Sequence, residues 1–255
     1  LFLKKVFETF YAFKLGAFMI IIHVAQQPLI TYLDQQECSI AFVNDQFAQQ
    51  LANASIDTAL ISYRTSFPAL DALVVQQEFT GKRGQLLHVT NYITNTLKHL
   101  LLVGIGSDKR PVHEQLETMR RGLARALDCA KRYKRINIGC AVPDAATMGM
   151  TPDALLRQLA LLVHMNSYEF KQFKTDKKEG TDYTPTITFY NVADDSTMLD
   201  VVKQAEIIGA AINKTRHLAD LPANHLTPTD LAQEAQALAK QYGIVEVKDE
   251  LVVNF

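Results

Sequence analysis

His99 to Gly106 reads H-L-L-L-V-G-I-G. Up to Ile105 the run is continuously apolar, with no alternation of polar and apolar positions, which is the pattern of a strand covered on both faces. Such a strand needs layers above and below it, so the neighbouring segments should alternate between strands and helices. Upstream, Met19 to Val24 reads as a first core strand, and Ser39 to Val43, Thr58 to Tyr63 and Leu86 to Thr90 as short β-type runs. Downstream the period becomes helical: Val112, Leu116, Met119, Leu123, Leu127 and Ala130 share one face. Ile136, Ile138, Cys140 and Val142 then alternate as a strand. Thr151-Pro152-Asp153 opens a helix carrying Leu155, Leu159 and Leu162, and Thr186 to Tyr190 is a last strand after a charged surface loop, Lys174 to Thr184. The expectation is an α/β fold, a mixed sheet flanked by helices.

Composition narrows the function classes. The chain has 255 residues, 48% hydrophobic, enough for a substantial core. Its formal net charge of −1, from 26 basic and 27 acidic side chains, sets up no global field toward nucleic acid or a membrane. Cys38, Cys129 and Cys140 are odd in number and form no C-x-x-C pair, which points to reduced, buried thiols in a cytoplasmic protein. Lys4 and Lys5 precede an apolar stretch, Leu15 to Val24, but that stretch is about ten residues, against roughly 20 for a span, and no small-x-small cleavage site follows it. Residues 1–18 are expected to be an upstream extension that packs poorly on the domain. The K-D-E-L of Lys248 to Leu251 is internal and is no retention signal.

Three features could carry chemistry. The V-G-I-G of Val103 to Gly106 could cradle a phosphate where a strand hands over to a helix, but Lys109 stands where a dinucleotide fingerprint wants its third glycine. Arg120, Arg121, Arg125, Lys131, Arg132, Lys134 and Arg135 could contact phosphates; without interleaved aromatics, and with near-zero net charge, they read as a solvated helix face, and no nucleic-acid partner is expected. His217, Asp220 and His225 lie close in sequence, but Pro222 breaks the helix between them and two metals need more carboxylates than this segment offers. No G-x-S-x-G marks a nucleophile. The residues therefore nominate no catalytic, cofactor-binding or metal-binding side chain.

Toward the end of the chain, Met198, Val201, Ala205, Ile208 and Ile212 form one helical stripe that Pro222 must terminate. Thr227 is a hydroxyl N-cap, Pro228 suits the first helical position, and Asp230 puts a carboxylate in the first turn. The helix that starts there carries Leu231, Ala235, Leu238 and Tyr242, stops at Gly243, and leads into a strand-like Ile244 to Val247.

Arg216 to Pro228, R-H-L-A-D-L-P-A-N-H-L-T-P, resembles the segment that joins the two domains of the leucyl aminopeptidase family, where an Arg-x-Leu element leads into N-x-P-x-N-x-L-T-P. Tyr168 to Thr175, Y-E-F-K-Q-F-K-T, is similar to the family's Y-x-F-x-x-Y-K-x, with Phe173 where tyrosine is usual; Asp220 stands where asparagine is usual. The V-G-I-G after a strand is typical of the family's first domain, which is similar to macro domains and is not the catalytic one. The resemblance implies a macro-like domain over 19–192, a connecting helix over 193–222, and over 223–255 the start of a truncated catalytic domain. It implies two divalent metals, manganese or zinc, in the full-length family. Their Lys and Asp ligands sit in a V-G-K-G-V-x-F-D-type motif and further carboxylates in N-T-D-A-E-G-R; neither motif occurs here. A truncated or frame-shifted product, or one domain of a split protein, inactive alone, is expected, with no metal bound by this chain, self-association through the exposed stripe of the connecting helix, and peptides as substrates only of the full-length family. The alternative is a non-catalytic macro-like binding or interaction module.

Overall fold

The computed structural model describes residues 20–52, 58–107, 109–170, 172–173, 183–193 and 196–243. The expectations for residues 1–18, for most of the Lys174 to Thr184 loop and for the strand at Ile244 to Val247 lie outside the described residues. Two compact units divide the chain. The larger draws on 18–168 and 175–210, the smaller on 169–174 and 211–255.

The larger unit is built on one six-stranded sheet. Its strands are β1 (Ile21–Ala25), β2 (Cys38–Asn44), β3 (Leu86–Ile93), β4 (Thr96–Gly106), β5 (Asn137–Ala141) and β6 (Thr186–Tyr190), in the order β1-β6-β5-β2-β4-β3. Every neighbouring pair is parallel except β3 and β4, which form an antiparallel hairpin. Thr94 and Asn95 close that hairpin with positive φ at both positions, 48° and 61°, the backbone of a tight turn whose twist matches its strands.

As the apolar run predicts, β4 is buried on both faces. Leu101 and Val103 belong to one core with Ile40, Ile138, Cys140, Ile187 and Phe189. Leu100 and Leu102 belong to the other, with Leu87, Val89, Phe67 and Leu70. The first face is covered by α4 (Val112–Arg132), α5 (Pro152–Asn166) and the start of α6 (Ser196–Asp220). The second is covered by α1 (Phe47–Ala52), α2 (Thr58–Ser66), α3 (Leu70–Gln76) and a short 3₁₀ turn at Leu29–Tyr32. In the smaller unit, the end of α6 leads through a Pro222 corner into α7 (Pro228–Tyr242), capped as expected by Thr227 and stopped by Gly243 in the left-handed conformation.

Three expectations need correction. Thr58 to Tyr63 lies in the helix α2 and not in a strand: Tyr63 is buried together with Phe67, which follows that helix, and Leu70, which opens α3, so tertiary packing outweighs the β-type residues Thr58 and Ile61. The stripe of α6 is only partly without a partner: Val201, Val202 and Ala205 are buried in the larger unit's own core, while Ile208 is 43% exposed. On α7, Leu231 is 49% exposed and Ala235 faces solvent, while Ala239 is the buried residue.

The strand ends of β2 and β4 are crossed at close range by the loop that enters β3. A Cβ on Gly104 would lie 2.2 Å from the Lys82 carbonyl oxygen, and one on Gly81 1.9 Å from that of Asn44. Both obstacles are backbone and cannot swing aside. Gly104→Ala is therefore expected to destabilise the fold at the upper end of the overpacking range, by about 3 kcal/mol, read as a lowered urea midpoint; an unchanged midpoint would show that the crossing is loose.

Candidate functional site

The glycine run sits at the carboxyl ends of the parallel strands, where open α/β sheets usually bind ligands. Its amides are already engaged. Gly104 N–H donates to the Gln85 carbonyl at 2.9 Å and Gly106 N–H to that of Gly81 at 3.0 Å. The crossing loop is held in turn by the Gln85 side chain, whose oxygen accepts from the N–H groups of Thr80 and Lys82 and whose amide donates to the Glu78 carbonyl. Arg125 on α4 donates to the Gly84 carbonyl. The glycines thus serve a close approach of two chain segments, and the N–H groups a phosphate would use are bonded to the protein.

The basic cluster disperses into separate tasks. Along the exposed side of α4, Arg110 faces Glu114 at 3.6 Å and Arg121 faces Glu117 at 2.7 Å, with Arg120 also reaching Glu117 at 3.9 Å. Alternating charge of this kind is the mark of a solvated helix face. Arg125 braces the crossing loop.

A polar cluster that sequence reading passed over lies at the other end of the sheet. His88 on β3 and His99 on β4 are diagonal neighbours across the hairpin, with Nε2 of His88 2.8 Å from Nδ1 of His99 and the ring planes 10° from parallel. The Tyr133 ring packs on both imidazoles, with centroids 4.8 and 4.9 Å away. His99 is buried. Desolvation first, then the Arg135 guanidinium and His88, push it down to about 4, against the opposing pull of Glu37. Burial also lowers His88. The signal was present only as two histidines on opposite sides of a Thr-Asn turn, and it needed the register to be read. Burial likewise raises all three thiols, keeping Cys38, Cys129 and Cys140 protonated.

In the smaller unit the two segments that carried the resemblance meet. The Phe170 ring lies 5.8 Å from that of His217, and the Phe173 ring 4.4 Å from that of His225. His217, Asp220 and His225 therefore do not converge on a common centre: the two imidazoles rest on different phenyl rings. Among the described residues, no group of three or more His, Cys, Asp or Glu side chains is placed to hold a metal ion, so the donors available do not fit a two-metal centre. Lys214 on α6 pairs with Glu234 on α7 at 2.7 Å and fixes the two helices about the corner. Thr227 accepts from the Asp230 N–H while Asp230 accepts from the Thr227 N–H and hydroxyl, a reciprocal cap. That hydroxyl, 2.6 Å away, holds the Asp230 carboxyl below the usual carboxylate range.

Residues 46–177 match the family model described as the cytosol aminopeptidase family, N-terminal domain. The chain belongs to the cytosol aminopeptidase family. It is 27% identical over 208 residues to a Clostridium perfringens protein named "Probable cytosol aminopeptidase", covering 76% of this chain and 41% of that one. A namesake from Pseudomonas paraeruginosa is 31% identical over 185 residues, 71% of this chain and 37% of its own length. Among solved structures, a tomato leucine aminopeptidase variant superposes with a TM-score of 0.75 at 20% identity, over 90% of this chain and 44% of that one, which shows the shared fold. The bottromycin maturation enzyme BotP, in a structure in complex with Mn, reaches a TM-score of 0.55 at 14% identity, over 82% of this chain and 37% of that one. The chain thus corresponds to the N-terminal domain of the cytosol aminopeptidases and spans about two-fifths of the length of the first two relatives named here. No described helix is long and apolar enough to cross a membrane.

The reciprocal cap is the feature of the corner most open to test. Thr227→Ala removes the hydroxyl that satisfies an otherwise unpaired amide of the first turn of α7. Hydrogen exchange of the amides around Asp230 and Leu231 is expected to quicken several-fold while the larger unit is unaffected; unchanged exchange would assign the corner's order to the ring contacts and Lys214.

Proposed function

We propose that this chain is the non-catalytic N-terminal part of a leucyl-aminopeptidase-like metallopeptidase of the cytoplasm. In that protein a following domain, carrying two divalent metals, manganese or zinc, removes N-terminal residues from peptides. The observation that supports this most is the corner: the domain-joining motif Arg216 to Pro228 folds as a helix, a proline turn and a reciprocally capped helix, downstream of the segment matched to the family's N-terminal domain. Within this reading, 19–192 is the first domain, 193–222 the connecting segment and 223–255 the beginning of the catalytic domain, with 1–18 an extension. Metal-assisted hydrolysis needs ligands that lower the pKa of a bound water and leave room to polarise the scissile carbonyl. The metal-binding motifs of the family do not occur in this sequence. The engagement of Gly104 and Gly106 weighs against the alternative of a macro-like binding module.

Two outcomes are expected. The purified chain, supplied with manganese or zinc, releases no leucine from a leucyl amide above background; turnover that survives rigorous purification and disappears with a chelator would overturn the non-catalytic assignment. The chain also self-associates, because Leu199, Ile208 and Leu231 are each at least 40% exposed, and covering such a side chain fully is worth about 1.5–3 kcal/mol. Sedimentation at rising concentration should show the shift, and a clean monomer throughout would count against it.

A further inference from the structure

The hairpin of β3 and β4 changes character at His88. Leu87 and Val89, which flank it, and Leu100 and Leu101 on the facing strand are at most 1% exposed. Beyond it the tip opens toward solvent, with Thr90 exposed and Tyr92 71% exposed. The imidazole contact of His88 with His99 adds a side-chain tie to the backbone ladder at this boundary, and it requires one nitrogen with a proton and one without. We propose that the His88–His99 pair is a proton-operated latch on the hairpin tip, closed when both imidazoles are neutral and released on acidification.

The surroundings decide the direction. From β3 and β4 come the two histidines themselves. From the segment after α4 come the Tyr133 ring and the Arg135 guanidinium, whose charge opposes a second cation beside it. From the start of β2 come Cys38, held as a neutral thiol, and Glu37 just before it. Tyr183, held protonated by burial, lies near these two. Glu37 is the group that favours an imidazolium, but its Oε2 already accepts from the N–H groups of Ile136 and Asn137. Nε2 of His99 is buried with no hydrogen-bond partner among the described residues. A protonated His99 would have to place an N–H there as part of a cation. A second proton on the pair would set N–H against N–H across 2.8 Å.

The sign follows from linkage. In the closed hairpin protonation is depressed, for His99 to about 4, whereas an opened tip returns each imidazole to roughly 6.5. The latch therefore holds fully above the ordinary imidazole range and weakens as the pH falls below it. For one histidine the opening constant rises roughly thirtyfold between pH 7.5 and pH 5, with more if both take up protons.

Hydrogen exchange of the full chain, corrected for the intrinsic pH dependence of amide chemistry, reads this directly. Amides of residues 90–98 are expected to gain about that factor at pH 5, those of β5 and β6 to gain little, and His88→Gln to reduce the pH response of the tip. Imidazole nitrogen NMR of the unsubstituted chain keeps the test independent of whether the variant folds: both rings should stay neutral well below the ordinary range and titrate as a coupled pair. Exchange at the tip that follows β5 and β6 at every pH, an undiminished response in a folded His88→Gln chain, or rings titrating independently near 6.5 would overturn the proposal.

Discussion

The burial of β4 on both faces is the constraint from which the rest of the larger unit follows. Leu100, Leu101, Leu102 and Val103 are each at most 1% exposed, and they point alternately to opposite sides of the sheet. Leaving either side uncovered would return two large side chains to water at about 1.5–3 kcal/mol each. Helices are therefore required on both faces. The parallel neighbours on one side of β4 need crossover connections, and these supply the helices. Only β3, joined by a two-residue turn, can pair antiparallel, and it ends the sheet there.

The same packing explains why the strand-end glycines read ambiguously. A glycine at the end of a buried strand permits close approach, and sequence does not say whether what approaches is a phosphate or another stretch of backbone. Here it is the loop from Phe79 to Gln85, whose carbonyls accept from the N–H groups of Gly104 and Gly106. The third position of a dinucleotide fingerprint is held by Lys109, the one local departure from that pattern.

Legibility tracked the range of the interaction concerned. The strands β2, β4, β5 and β6 and the Thr-Pro starts of α5 and α7 were readable because burial period and capping are local properties of a few residues. Helix α2 was not, because Thr58 to Tyr63 has the residue types of a strand and the residues buried with Tyr63, Phe67 and Leu70, lie beyond the helix itself. The stripe of α6 was recognised, but which surface it covers depends on tertiary placement. His88 and His99 carry no mark in the sequence, since their contact exists only in one register of the hairpin: a slip of one residue would send one ring to the opposite face.

The family relationship was legible for a further physical reason. Its two most specific segments, Tyr168 to Thr175 and Arg216 to Pro228, contain no chemistry, yet they touch: Phe170 rests on His217 and Phe173 on His225. A domain corner must fix the exit direction of the chain, and a few packed rings, a proline and a reciprocal cap do so with little tolerance for substitution in kind. Phe173 in place of the usual tyrosine keeps the ring and loses only the hydroxyl, so the contact with His225 survives the departure. Asp220 in place of asparagine falls at the last residue of α6, where the two side chains are nearly isosteric and the helix ends in either case at Pro222. The motif thus folds as a defined corner, and it is compatible with a chain whose described residues assemble no metal ligands.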